Sequence, residues 1–180
     1  MEFIIEILLI FIIACLILLW WISTYNKFQT YIIRINEAEA NIDSVLRKRY
    51  DLLIKISKII EENTKEENTF TQIKEMKSSN LTNFEVDRII KSAINEFNVL
   101  KEKYEKLKDN DLLLKTEIEL TSSETEVMAL KKYYNDIITE YNKYARVFPS
   151  VLVAFISRYK QKNYFDGKDL NDNIKNDFKL

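Results

Sequence analysis

Arg49 and Glu124 are the residues whose type and position most invite a chemical reading, because each interrupts an otherwise apolar helical seam. A charge on an inward face needs a partner, since burying it alone carries a large desolvation penalty. Counting registers outward from a helix–helix turn places Arg49 beside residues 108–111. Asp109 and Asp111 are therefore its expected partners, in preference to Glu124. Structural ion pairing is the expected role of all four residues; the competing hydrolase reading would ask Glu124 to work with a second acid. A further constellation is Tyr134-Asn135 and Tyr141-Asn142, repeated seven residues apart. That spacing stacks both rings on one helix face, with an Asn at each flank. It fits a core aromatic stripe whose hydroxyls find partners at the bundle edge. It also fits a polar slot for a ligand.

Beyond these groups the chain is poor in chemistry. It contains no His, the commonest general acid/base and metal ligand. Its one Cys, Cys15, lies within an apolar run, so no intrachain disulfide or Cys-based metal site can form. The sequence has no nucleophile–base pair, no Gly-rich phosphate cradle and no cluster with ligand spacing. No catalytic residue, cofactor or metal is expected, and the chain is expected not to be an enzyme. The 27 basic residues are balanced by 28 acidic ones. Setting aside Glu2 and Glu6 at the apolar N-terminus leaves 27 against 26, a net of +1. A nucleic-acid binder gathers a basic excess on one surface; none is visible, so no nucleic-acid partner is expected.

The elements that carry these residues are helices. The chain has one Gly and one Pro, whereas sheets and tight turns draw on both. Ile7 to Ile22 is unbroken apolar sequence. With Phe3, Ile4 and Ile5 it gives about 20 residues, or about 30 Å of helix, the thickness of a bilayer core. Residues 3–22 read as a single transmembrane helix, including Phe3, Ile7, Cys15, Trp20, Trp21 and Ile22. The two Trp rings and Tyr25 sit at its C-terminal end, where amphipathic rings favour the interface. A cleaved signal peptide would need a basic start and a small-residue cleavage site, and neither is present. Ile12-Ile13-Ala14-Cys15 resembles a lipobox, but seven further apolar residues follow and argue against lipidation of Cys15. Lys27 and Arg34 follow the span and no cation precedes it, which predicts a cytoplasmic location for the bulk of the chain.

After the span, the expected domain is a helical bundle over residues 23–165, followed by a polar, disordered tail at 166–180. The first soluble helix continues out of the membrane to about Lys77, with Phe28, Ile32, Ile35, Ile42, Leu46, Leu53, Ile56 and Ile60 on its seam. Glu39 and Arg49 are the charged seam positions, and Asn63 marks a weak point. Ser78-Ser79-Asn80 reads as a loop. Thr82-Asn83-Phe84-Glu85 matches a capping box that opens a second helix with Val86, Ile90, Ala93, Phe97, Leu100, Tyr104 and Leu107 inward. Asp109-Asn110-Asp111 makes a turn. The third helix covers about 111–147, with Leu113, Leu120, Val127, Leu130, Tyr134, Ile138, Tyr141 and Phe148 inward, and ends before Pro149. A short apolar helix runs from Val151 to Tyr159. The fold class is all-α: one N-terminal transmembrane helix, then an antiparallel bundle of three long helices and one short C-terminal helix. By length, the second helix descends only to the level of about residue 52 and the third climbs away. The seam at 23–48 is thereby left bare, a stalk expected to self-associate as a coiled coil.

The ordered set Tyr25-Asn26, Glu37 to Asp43, Leu46 to Leu52, Tyr104 to Lys108, Glu119-Leu120, Glu124, Tyr134-Asn135, Tyr141-Asn142 and Phe148-Pro149 resembles the LemA family of bacterial membrane proteins over about residues 20–165. The resemblance implies a short outside N-terminus, a cytoplasmic helical bundle and no known catalysis. The family usually has Pro-Asn where this chain has Ile54-Lys55, and Pro where it has Glu105. Both departures predict more regular helices here. The function expected from all of this is a membrane-tethered interaction or scaffold protein that binds other proteins. Phe28, Ile32, Ile35, Ile42, Leu46, Val151, Phe155 and Tyr159 are its candidate contact residues. The alternative is a membrane-anchored sensor that takes a small molecule between bundle helices.

Overall fold

With so few residues able to break a helix, helix is the only regular structure among the described residues of the computed structural model, which are 1–64, 69–76 and 81–166. The elements are α1 (Glu2–Thr64), α2 (Thr71–Met76), α3 (Asn83–Lys103), α4 (Glu105–Lys108), α5 (Asp111–Arg146) and α6 (Ser150–Ile156). The all-α class holds. The N-terminal part of α1 is long and apolar enough to cross a membrane, and none of its most apolar window is buried within the protein. The expected loop at Ser78-Ser79-Asn80 and the tail beyond residue 166 lie outside the described residues. Packing divides the chain into two units, Met1–Glu37 with Asn135–Tyr164 and Ala38–Tyr134 with Phe165, and both α1 and α5 contribute to each.

In the second unit, helix α1 ends at Thr64, short of the expected Lys77. Near this end, Asn63 Nδ2 and Thr64 Oγ1 each donate to the carbonyl four residues back, at 2.7 Å. Glu61 then gathers the returning chain: its Oε1 accepts from Lys74 Nζ at 2.6 Å, Ser57 Oγ at 3.1 Å and Thr69 Oγ1 at 3.2 Å. Phe70 adopts a left-handed φ of 53°, unfavourable for a residue with a Cβ. Full burial of its ring and a 3.1 Å bond from its N–H to the Glu96 carboxylate hold it there.

Helix α3 opens on the expected capping box. Thr82 accepts from the Glu85 N–H, and the Glu85 carboxylate accepts from the Thr82 N–H at 2.8 Å. Its start lies beside Glu39, whose carbonyl accepts from Asn83 Nδ2 at 3.4 Å. Farther along, Ile94 and Phe97 face Leu120 across a groove, while Glu119 lies at the level of Leu52 and Lys55. Helix α3 therefore runs in the same direction as α1, and α5 runs against both. This corrects the fully antiparallel order: α3 begins at the level of Glu39, not at the level where α1 ends. A break at Tyr104, extended at φ −117° and ψ 102°, separates α3 from α4. That is the conformation a following proline would impose, and here it forms without one, so the expected regular helix through Glu105 is also corrected. The core joins Ile42, Leu46, Leu53, Ile56 and Ile60 of α1 to Ile90, Ala93 and Phe97 of α3 and to Leu113, Leu120 and Val127 of α5.

In the first unit, Phe28 of α1 is fully buried among three tyrosines, with ring centroids 6.0 Å from Tyr141, 4.9 Å from Tyr144 and 4.6 Å from Tyr159. Phe28, Ile35, Ile42 and Leu46 are all buried within the chain and Ile32 is half-buried. The premise of a bare stalk at 23–48 therefore fails. It rested on a long first helix and a descending second one, whereas α5 itself extends to Tyr144 beside Phe28. Ala38 takes the seam position beside Glu39, and Glu39 is exposed.

Two outcomes test this packing. Phe97→Ala should destabilise the full-length protein in detergent by about 3–5 kcal/mol in denaturant unfolding, the cost of emptying a filled aromatic site; a change below about 1 kcal/mol would mean the seam does not face a packed interior. The second concerns acid. The hydrogen bond from Lys74 holds the Glu61 carboxyl below its ordinary value of 4.5. Its folded value is the lower one, so its contribution is present above 4.5 and is lost as pH falls through the depressed value. Glu61→Gln should flatten the acid-side decline in melting temperature, and identical slopes in both proteins would refute the anchor.

Candidate functional site

The most heavily charged buried region lies in the second unit, where α1, α3 and α5 each place a charge on an apolar face. Arg49 is completely buried, and its Nη2 donates to Glu124 Oε2. This direct pair corrects the expected partnership with Asp109 and Asp111. The register count began from a first helix ending at Lys77; ending it at Thr64 moves Arg49 level with the middle of α5. Asp109 and Asp111 are exposed. Asp111 contributes an acid to the first turn of α5, where Asn110 Oδ1 accepts from the Leu113 N–H at 2.9 Å.

A second pair joins the region. Asp87 on α3, only 3 % exposed, meets Lys131 of α5 at 2.5 Å and Lys91 of its own helix at 3.3 Å. Burial pushes the Lys131 ammonium below its ordinary value; Asp87 pulls it back up, while the charges of Lys91 and Arg49 lower it further. Three cations thus face two carboxylates. Arg49 Nε and Nη1 have no acceptor among the described residues. Glu124 is half-buried and also borders a groove of about 220 Å³ lined by Ile94, Phe97, Asn98, Glu117, Leu120 and Thr121. Sequence reading missed Asp87 and Lys131. The available signal was Asp87 three residues before Ile90, an acid on the apolar face of α3.

The tyrosine–asparagine repeat is engaged by the chain itself. Tyr141 OH donates to the Lys160 carbonyl at 2.8 Å. Asn142 both donates to and accepts from the backbone of Lys162, at 2.7 and 2.9 Å. Tyr134 packs edge-on to Phe165 at 6.4 Å. Burial raises the hydroxyl pKa of both tyrosines. Of the expected contact residues near the C-terminus, Tyr159 packs against Tyr25 and Phe28 and is half-buried, as is Val151; Phe155 is 84 % exposed. Phe148, expected inward, is 75 % exposed, because α5 stops at Arg146 and the inward stripe stops with it.

A helical domain thus follows an N-terminal helix long and apolar enough to cross a membrane, and its core charges pair with one another. The LemA family profile matches residues 38–178, and the chain belongs to that family. No curated protein matches it significantly.

The Arg49–Glu124 pair predicts a non-additive mutant cycle. Glu124→Ala strands the buried guanidinium and should cost about 1–3 kcal/mol, less than for a fully buried pair because Glu124 is about a third exposed. Arg49→Met combined with Glu124→Leu should recover most of that loss in denaturant unfolding. Simple additivity of the single variants would show that the two side chains are not coupled.

Proposed function

We propose that the chain is a single-pass membrane protein whose helical domain faces the cytoplasm and serves as a docking scaffold for other proteins, without catalysing a reaction. The observation that carries this reading is the continuity of α1, which takes the apolar segment and the bundle seam through one helix with no break from Glu2 to Thr64. Such an element tethers a domain stiffly to a bilayer. The commitment of polar core groups to internal partners supports an architectural role: Arg49 to Glu124, Asp87 to Lys131, and Tyr141 and Asn142 to backbone. The positive charge of Lys27 and Arg34, which follows the span closely, supports the cytoplasmic orientation. Outward-facing Ile118 and Met128 on α5 are the apolar groups suited to a partner surface. One observation favours the sensor reading as second choice: the two guanidinium nitrogens of Arg49 without an acceptor among the described residues suit a small anion.

The test is topological first. In a Cys15→Ser background, Lys115→Cys should resist membrane-impermeant thiol reagents in intact cells and label after permeabilisation; ready labelling of intact cells would reverse the orientation. A photoreactive residue at Ile118 or Met128 should then form discrete protein adducts in membranes. Adducts no more frequent than at exposed Glu105 would remove the scaffold reading.

A further inference from the structure

We propose that α6 and the residues leading into it form a second membrane contact, an apolar wedge seated in the interface of the same bilayer that α1 crosses and favoured by anionic lipid. The proposal rests on the membrane-spanning reading of α1. Its first support is an unsolved exposure. Val153 and Ala154 of α6 are buried against the protein, so this short helix already has an inward side. Its other side is nevertheless apolar: Leu152, Phe155 and Ile156 are exposed, and so are Val147 and Phe148 just before it. A water-facing side would carry polar groups, and a contiguous apolar patch marks a contact surface.

The second support is location, and it decides the occupant. Within this unit α5 runs toward the N-terminal end of α1: Tyr141 lies against Tyr31 and Phe28, and Tyr144, one turn later, packs at a tilt on both rings and lies beneath Lys27. The chain leaves α5 at Arg146 heading in that direction and comes back at Tyr159. There the ring sits 6.1 Å from Tyr25, and the hydroxyl accepts from Gln29 Nε2 at 2.8 Å. Residues 147–156 join these two points and are therefore placed on the side of the unit that faces the apolar segment. Tyr25 follows Ile22 by three residues, about 4.5 Å of helix. Thr24 is buried and Trp20 and Trp21 are half-buried, whereas most side chains before them are exposed. The exposed Phe and Ile side chains are thus placed toward the depth where a bilayer would meet water, which along α1 is the level of Trp20 and Trp21.

Charge supplies the third support. Residues 141–165 hold five cations and no Asp or Glu, and residues 23–36 of α1 hold Lys27 and Arg34 and no acid. This one-sign collar stands in a chain whose other residues hold 20 basic and 28 acidic groups. Basic groups around an inserted apolar helix are drawn to anionic headgroups.

The experiment uses the full-length Cys15→Ser protein in vesicles. An environment-sensitive fluorophore is attached singly at Phe155→Cys, at Leu18→Cys within the span, and at Lys132→Cys on the bundle. The lipids carry a nitroxide either near the headgroup or near the chain end. Phe155 is exposed, so its replacement does not disturb packing. The expected result is strong quenching at 155 by the shallow nitroxide, quenching at 18 by the deep one, and none at 132. Quenching at 155 should be weaker in phosphatidylcholine alone than in mixtures with phosphatidylglycerol. Quenching at 18 without quenching at 155 would leave the span intact and overturn the wedge. A blue-shifted but unquenched probe at 155 would assign the patch to a second copy of the chain and also overturn it. No quenching at 18 would overturn the membrane reading itself. Equal quenching at 155 in both lipid mixtures would remove the anionic preference.

Discussion

Covering the apolar seam of α1 is the requirement from which the rest of the fold follows. Phe28, Ile35, Ala38, Ile42, Leu46, Leu53, Ile56 and Ile60 repeat along a helix that no Gly or Pro interrupts. Left in water, each large side chain would forfeit about 1.5–3 kcal/mol of burial. In one unit the tyrosines of α5 and Tyr159 cover Phe28. In the other, α3 and α5 cover the seam from Ile42 to Ile60. One partner helix does not enclose a seam, which explains why both α3 and α5 lie against α1 here.

What could be read from the sequence was local. The apolar helix follows from composition and the capping box from four consecutive residues; the seams of α3 and α5 follow from their 3.6-residue period. The end of α1 was not local. It depends on Glu61 drawing in Ser57, Thr69 and Lys74, a set spread over 18 residues of sequence that only closes once the chain has turned. Misplacing that end by 13 residues moved every later register. It reversed the direction of α3, assigned Arg49 to the wrong acids and left the seam near Phe28 bare. The candidate site was legible as residue types and illegible as pairs, since the partner of Arg49 lies 75 residues away.

The same limit explains the C-terminal segment. Val151 to Ile156 is apolar at every position, so periodicity cannot say which side faces in. Packing decides it: Val153, Ala154 and Tyr159 turn toward the protein, and Leu152, Phe155 and Ile156 turn away. Uniform apolarity is itself informative once the helix is known to be short and superficial, because a helix with one wet side has no use for a phenylalanine there.

The buried charges pose a different question, because they are not a cheap way to hold a bundle together. Replacing a buried ion pair by apolar groups of similar size is often neutral or stabilising. Arg49–Glu124 and Asp87–Lys131 are therefore poorly explained as sources of stability. They do discriminate among registers. The seams of α1, α3 and α5 repeat every turn, so sliding one helix past another by a turn re-pairs apolar residues at little cost. The same slide would strand a fully buried guanidinium and an almost fully buried carboxylate without partners. Two pairs on three helices, joining α1 to α5 and α3 to α5, leave one register in which both are satisfied. With seams this regular, fixing that register decides which surface residues of α1, α3 and α5 stand side by side.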